Sequence, residues 1–438
     1  MYQHSIDEIE DKIRNREVKI SVIGLGRVGL PLAVTLADCG FDTLGIDINN
    51  ELVAKLNEGV SPFPDEPGVS ELLKSTVESG RFKASTVLEE RDFNIVTVPT
   101  LIKGDKPDIE AVYAVANAIR APHGKVFTVE STVPPLTTQQ FGDIIARNTG
   151  YKPGEDFGLA YSPERIQAPQ VLRDLKTYPK IVGAIDDKSA FIVATIYSCF
   201  APDIIRVSSP VVAEIDKIME NAHRDLNIAF ANELAMICEV YGVDVYEVIR
   251  TANSQPYCNI LNPGLVGGHC IPMDPYYIIS EVEKRGYSPN LIKEARRINE
   301  DMVEHVVSMV EGERVAILGL SFKQDVRAFE HSHTLKLIDA LRRHSHSYSI
   351  VVHDPYLGNE DFDFPVERDL YTAITGADCL ILATAHSYYK SLDWGRVREC
   401  MRGDLIVDVR GLFDMERVKK SGLRYKGIGR DGSAKSEI

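Results

Sequence analysis

Positive charge is scarce in this sequence: 49 lysines and arginines face 64 aspartates and glutamates, a formal net charge of −15 over 438 residues. That balance excludes nucleic acid as a natural partner, because phosphate backbones are held by a basic face. An anionic ligand has to be held locally, by helix N-termini and a few cations working against the global field. Long apolar runs are missing too. None approaches the ~18 residues that a membrane span needs, and the charged, amphipathic start over Met1–Glu17 is not expected to act as a secretory leader. The expectation is a cytosolic protein with no membrane partner. The seven cysteines (39, 199, 238, 258, 270, 379, 400) form no CxxC pair and no zinc-ligand spacing, which argues against a disulfide framework. Most sit in apolar stretches, as in Asp378-Cys-Leu-Ile-Leu, and are expected as small core residues. Only Cys270 has glycine and polar neighbours. No metal is expected: His269 beside Cys270 lacks a second ligand pair, and the His331-Ser-His333 and His344-Ser-His346 pairs are expected at the surface.

What is present is a globular composition, 44% hydrophobic and 26% charged, in a chain too long for one ordinary core. The layout is sheet domain, helical linker, sheet domain. Apolar runs at Lys19–Gly24, Asp42–Asp47, Asn94–Val98, Val126–Val129 and Phe157–Tyr161 alternate with helical segments, which predicts a parallel sheet with right-handed crossovers over residues 1–206. Pro210–Gly242 contains no internal proline or glycine and is apolar on nearly all sides, so a long helix buried between domains or subunits is expected. Helices continue to residue 311, with one glycine-rich break at 263–268. A second α/β unit over 312–438 has strands at Arg314–Gly319, Ser349–His353, Asp378–Ala383 and Leu405–Asp408. The last dozen residues are polar and expected to fray. The fold class is α/β: two Rossmann-like, doubly wound parallel-sheet domains, with a central helical domain over 207–311.

Gly24-Leu-Gly26-Arg-Val-Gly29 follows the first strand and opens a helix. Gly24 suits a tight turn, Gly26 a close approach of backbone to pyrophosphate, and Gly29 close helix–sheet packing. Asp47, at the end of the second strand, is placed to accept from ribose hydroxyls and to repel a 2′-phosphate, so NAD is favoured over NADP. The bland alternative is an ordinary glycine-rich turn. Val98-Pro99-Thr100 and Glu130-Ser131-Thr132 end strands that reach the same crevice, and Thr132 before Pro134 and Pro135 also suits a helix N-cap. On the long helix Glu214, Lys217, Asn221 and Arg224 share one face. They form either a solvated stripe with a Glu214–Lys217 pair, or a lysine and an amide aimed at a developing oxyanion. Gly267-Gly-His-Cys270-Ile-Pro-Met-Asp274 puts a thiol on a loop with an acid close by, as covalent oxidation of an aldehyde requires.

Taken together, Gly24–Ala33, Glu130-Ser-Thr-Val-Pro134, Tyr161-Ser-Pro-Glu-Arg165, Lys217 with Asn221, Asn232-Glu233, Gly267–Asp274 and Gly319-Leu-Ser-Phe-Lys323 resemble the UDP-glucose/GDP-mannose dehydrogenase family over residues 18 to 425. The resemblance implies a four-electron, NAD-dependent oxidation of the C6 alcohol of a UDP-sugar through a Cys270 thioester. Lys217 and Asn221 would stabilise the oxyanion, and Asp274 with Thr132 or Glu164 would position the hydrolytic water. Cofactor contacts would come from Gly24, Gly26, Arg27, Val28, Gly29, Asp47, Pro99, Thr100, Ser131 and Thr132. Substrate contacts would come from Glu164, Arg165, Lys217, Asn221, Arg224, Asn259, Gly267, Phe322 and Lys323, the carboxyl-terminal domain holding the UDP. A homodimer built on the long helix is implied. Asn259-Ile-Leu-Asn-Pro-Gly264 resembles the branch acting on UDP-N-acetylhexosamines, with UDP-N-acetylmannosamine expected ahead of UDP-N-acetylglucosamine or UDP-glucose. Three departures stand out: the family's usual arginines are replaced by Tyr257 and Glu330, and the glycine loop before Cys270, Pro263-Gly-Leu-Val-Gly-Gly268, reads one residue short. The competing readings are a two-electron hydroxyacid dehydrogenase, which needs no cysteine, and a non-catalytic nucleotide-sugar or NAD sensor.

Overall fold

Lys19–Ile23 is the hub of the first sheet: four of its five residues are buried, as a strand covered on both faces requires. The computed structural model describes residues 1–431 apart from 105, 346 and 358–361. His346 and the tail from 432 therefore lie outside the described residues. In spatial order the eight strands are Ile204–Val207, Lys180–Ala184, Gly158–Tyr161, Val126–Val129, Phe93–Val96, Lys19–Ile23, Asp42–Ile46 and Phe82–Ser85. Chain order reverses between Lys19–Ile23 and Phe93–Val96, the place where open α/β sheets bind ligands. Every neighbouring pair is parallel except Gly158–Tyr161 with Lys180–Ala184.

The second sheet repeats the plan. Its order is Val366–Glu367, Ser349–His353, Arg314–Leu318, Cys379–Leu382, Leu405–Asp408, Arg424–Gly427 and a short antiparallel edge at Arg430–Asp431. The resemblance reaches single bonds. Gly24 (φ 98°) and Gly319 (φ 92°) each turn the chain out of their central strand. Each donates its N–H to the last carbonyl of the neighbouring strand, Ile46 at 2.7 Å and His353 at 2.8 Å. A carboxylate follows each of those strands. Asp47 accepts from the Leu25 N–H at 2.9 Å, and Asp354 from the Leu320 N–H at 2.8 Å.

The long helix runs over Pro210–Tyr241, as the sequence predicts. It is followed by Val245–Ala252, Asp274–Glu283 and Asn290–Met309. The irregular stretch between Ala252 and Asp274 is wider than the glycine-rich break expected from the sequence. By its contacts the chain divides into two compact units: Met1–Glu220 with Tyr276–Tyr287, and Asn221–Pro275 with Ser288–Ile438. Among the described residues no helix is long and apolar enough to cross a membrane.

Two expectations of burial fail. Cys238 and Cys379 are buried, but Cys39, Cys199 and Cys400 are only half-buried, and Cys258 is exposed like Cys270. His333 is not at the surface. It is fully enclosed, its Nε2 3.0 Å from the Ala383 carbonyl, because the turn at His331 (φ 56°) folds the segment back on the sheet. His344 is exposed and paired with Glu304.

Candidate active site

The glycine-rich turn has the geometry of a dinucleotide cradle. A Cβ on Gly24 would lie 2.7 Å from the Thr97 carbonyl oxygen, and one on Gly29 would overlap the Gly24 carbonyl, so both positions demand glycine. Gly26 faces open space, with nothing within 4 Å of the place a Cβ would take. The helix Gly29–Asp38 begins at Val28 with no side-chain cap, and its N-terminus is the positive end that a pyrophosphate would meet. Asp47 accepts from the N–H groups of Leu25 and Asn49, both at 2.9 Å. A carboxylate has about four lone-pair sites, so two remain for ribose hydroxyls. These residues fit NAD. Arg27 is turned to Asp65 (2.9 Å) and Glu66 (3.4 Å) and stacks over Phe63. Past the strand Phe93–Val96, Thr97 donates to the Gly24 carbonyl at 2.7 Å, while Thr100 is half-buried and Pro99 exposed. Ser131 donates to the Val98 carbonyl at 2.6 Å, tying the two strand ends together.

Thr132 is half-buried but is not a helix cap. The helix starts only at Thr137, after Leu136 in a left-handed conformation. Its N-terminus is capped from elsewhere: Glu214, fully buried, accepts from the N–H of Leu136 (2.6 Å) and the N–H (2.7 Å) and hydroxyl (2.6 Å) of Thr138. The Glu214–Lys217 pair is therefore not formed; Glu214 is spent inside, while Lys217 is half-buried and acts on the neighbouring Asp216 carboxyl. Glu164 is buried and bridged by Lys180 at 2.8 Å, and the same ammonium holds Glu130 at 3.0 Å. Arg165 pairs with Glu220 at 2.6 Å.

In the second unit, Cys270 is exposed at the head of the helix Asp274–Glu283. Its carbonyl accepts the N–H groups of Met273 (3.1 Å) and Asp274 (2.8 Å), so the helical turn already begins at the cysteine. Asp274 is buried, and the Asn221 side chain donates to it at 2.6 Å. The glycines before Cys270 serve packing. A Cβ on Gly267 would come 2.7 Å from the His333 nitrogen, and one on Gly268 (φ +93°) 2.8 Å from the Phe322 ring. Phe322 and Lys323 are half-buried. His269 packs edge-on against His331, centroids 4.5 Å apart, and burial pushes its pKa down. Arg224, Asn259, Tyr257 and Glu330 are exposed. Among the described residues no cluster suited to a metal occurs.

Three asparagines that the sequence did not single out as site residues hold the loop leading to Cys270. Each engages both an N–H and a C=O of irregular backbone. Asn227 donates to the Asn259 carbonyl (2.8 Å) and accepts from the Leu261 N–H (3.0 Å). Asn253 does the same with Ile260 (2.9 and 2.8 Å). Asn232 does so with Gly264 (3.2 and 2.7 Å), and also donates to Asn299, which in turn donates to Asp225. These amides replace the ladder of bonds that a strand would supply. Replacing Asn232, which is fully buried, by Leu strands both Gly264 groups and the Asn299 amide oxygen. The expected loss is roughly 3 kcal/mol or more, about 1–3 for each of the three buried groups left unpaired, measured by urea unfolding. A change under about 0.5 kcal/mol would show that the amide is dispensable.

Comparison with known proteins matches these pieces in order. Models of the UDP-glucose/GDP-mannose dehydrogenase family fit the chain as its NAD binding domain over residues 18–201, central domain over 211–301 and UDP binding domain over 316–415. A UDP-N-acetyl-D-mannosamine dehydrogenase of Pyrococcus horikoshii is 33% identical over 433 residues, covering 94% of this chain and 99% of that protein. An NDP-N-acetyl-D-galactosaminuronic acid dehydrogenase of Ralstonia nicotianae is 33% identical over 420 residues, covering 91% and 97%. The solved structure of the UDP-D-ManNAc dehydrogenase from Pyrococcus horikoshii superimposes with a TM-score of 0.85 at 34% identity, over 94% of this chain and 99% of that one. The chain belongs to the UDP-glucose/GDP-mannose dehydrogenase family and is an NAD-dependent nucleotide-sugar dehydrogenase.

Proposed function

We propose that this enzyme oxidises the C6 alcohol of a UDP-N-acetylhexosamine, UDP-N-acetyl-D-mannosamine before others, to the uronate through a thioester on Cys270. The observation that carries the reading is an exposed thiol at a helix head, one turn before a buried aspartate held by an amide. NAD, when bound at the Gly24–Gly29 turn, supplies the two-electron acceptor for each oxidation. The remaining chemistry falls to side chains. The sulfur of Cys270 adds as the thiolate to the C6 aldehyde. The Lys217 ammonium and the Asn221 amide, four residues apart on one helix, stabilise the oxyanion of the thiohemiacetal. After the second oxidation, water attacks the thioester carbon, positioned by Asp274 with Glu164 or Thr132, and Cys270 is released.

Residues 312–438 hold the UDP in this reading, with Phe322 and Lys323 toward the sugar. Residues 1–206 hold NAD through the cradle, Ser131 and Thr100, and residues 207–311 join two protomers. The apolar residues exposed along the long helix support that dimer: Phe230 (53%), Ile237 (50%), Val240 (82%) and Tyr241 (71%). Such a patch marks an interaction surface. The enzyme is cytosolic in this reading. The substrate preference draws on the Pyrococcus relative; the Ralstonia relative's name keeps other N-acetylhexosamines in the panel.

The test is stoichiometric. With excess NAD and limiting UDP-N-acetylmannosamine, two NADH per sugar are expected. One NADH per sugar, with no effect of thiol alkylation, would instead mark a two-electron dehydrogenase. Binding without turnover of this sugar, UDP-N-acetylglucosamine and UDP-glucose would mark a sensor.

A further inference from the structure

Two cysteines expected in the core lie together at its margin. Cys39 ends the helix Gly29–Asp38, and Cys199 follows the helix Asp187–Tyr197, both within the first compact unit. They are 160 positions apart in the chain, yet the Cys39 Sγ donates to the Cys199 carbonyl at 3.3 Å. The two thiols are also hydrogen-bonded to each other. Both are half-buried, packed on the edge of the cluster that includes Ile9 and Ile13.

Solvent has a way in. Cys199 lines a cleft of about 230 Å³ together with Ile13, Arg16, Thr195 and Ser198. Its near wall belongs to the helix Ile6–Arg14 and the turn after it, upstream of the residues 18–201 that match the NAD binding domain. Arg16 stacks over the Phe41 ring at 4.6 Å and donates to the Ile13 carbonyl at 3.0 Å. Among the described residues it has no carboxylate partner, so its charge is left to the two sulfurs.

The thiols are unequal. A helix C-terminus presents its negative end, which opposes a thiolate. Two neighbours offset that at Cys39: the hydrogen bond from the Cys199 thiol pulls its pKa down, and the Arg16 guanidinium acts the same way. The same bond pushes the Cys199 thiol up. One sulfur is ready to attack and its neighbour keeps a proton, the pairing that thiol–disulfide exchange uses.

We infer that Cys39 and Cys199 form a reversible oxidation site, which reacts with low-molecular-weight disulfides and closes a staple across the NAD-binding unit. The Cys39 thiolate attacks one sulfur of the small disulfide, and the other sulfur leaves with the bonding pair. Cys199 then attacks the Cys39 sulfur of the mixed disulfide, its proton passing to the second small thiol as that departs. Two protein thiols lose two electrons, and one small disulfide becomes two thiols. In a reducing compartment the pair rests as thiols, and only a more oxidising one closes it. The closed bond spans 160 positions, and restricting so long a loop in the unfolded chain stabilises the folded one. The helix it anchors is the one whose other end opens the NAD cradle.

The experiment equilibrates the full chain, carrying Cys258→Ser and Cys270→Ser to silence the two exposed thiols, with graded ratios of reduced to oxidised glutathione. Samples are quenched with N-ethylmaleimide and mapped by peptide mass spectrometry, with a melting curve on each. At oxidising ratios a peptide linking Cys39 to Cys199 is expected, lost again in dithiothreitol, and the melting temperature rises by about 5 °C. Adding Cys199→Ser should trap one glutathione on Cys39, whereas adding Cys39→Ser should leave Cys199 free. Both thiols alkylated at every ratio, a glutathione left on either in the chain that keeps both, or a link that leaves the melting temperature unmoved overturns the inference. So does a glutathione trapped on Cys199 in place of Cys39. Should the added serines prevent folding, the map and melting curve of the chain that keeps both thiols decide alone.

Discussion

Cys270→Ala is expected to abolish uronate formation, with kcat falling on the order of 10⁴-fold or more, as when a covalent nucleophile is removed elsewhere. The reason is local. Cys270 is the exposed sulfur at the head of Asp274–Glu283, whereas Cys258, the other exposed cysteine, lies in the irregular stretch twelve positions earlier. Lys217, Asn221 and Asp274 remain in the variant, so binding of UDP-sugar and of NAD should be retained. At most one NADH per sugar should then appear, because no thiohemiacetal forms to be oxidised further. Counting NADH per sugar consumed, with uronate measured by mass spectrometry, decides the matter. Two NADH per sugar at an undiminished rate in Cys270→Ala would remove the thioester from the mechanism.

Gly29→Ala should produce the second large effect, on a different quantity. The added methyl would overlap the Gly24 carbonyl and come 2.5 Å from the Thr97 hydroxyl, and the first obstacle is backbone that cannot swing aside. Overpacking of this kind costs about 1–3 kcal/mol, so a loss of roughly 2 kcal/mol would weaken NAD binding about 30-fold if it falls on the cradle. Gly26→Ala is the informative contrast. Nothing lies within 4 Å of its added carbon, so thermal stability should hold while NAD affinity drops, because the methyl occupies room meant for the pyrophosphate. Calorimetric titration with NAD and a melting curve separate the two. Equal behaviour of the two variants in both measurements would contradict this division between packing and ligand space.

The sequence exposed what depends on neighbours in the chain. The Gly24–Gly29 turn, the buried runs such as Lys19–Ile23 and Ser349–His353, and the thiol with its aspartate four positions on are local patterns. Edge strands escaped because their burial is partial: in Ile204–Val207 no residue is buried, and Phe82–Ser85 alternates. Long-range polar partners escaped for another reason. Glu214 caps a helix 76 positions upstream, and Asn232 grips backbone 32 positions downstream. Nothing at either place marks the appointment. The same holds for Lys180, whose two carboxylates lie 50 and 16 positions away. His333 was read as a surface residue because His-Ser-His looks polar, yet the left-handed turn at His331 drives it inward.

The repeated cradle has a consequence for the order of events in a catalytic cycle. Asp47 leaves part of its carboxylate open, but its counterpart Asp354 is filled: it accepts from the N–H groups of Leu320 (2.8 Å), Ser321 (2.9 Å) and Tyr356 (2.9 Å), and His386 closes on it at 3.2 Å. Ser321 also stands where the first half has Gly26. Two halves of one plan therefore offer a single hook for a dinucleotide. In the proposed four-electron route, one hook means two visits, in which spent cofactor is exchanged for fresh while the half-oxidised sugar waits. The proposed bond to Cys270 would then hold the sugar through that exchange and keep a reactive aldehyde from escaping between visits.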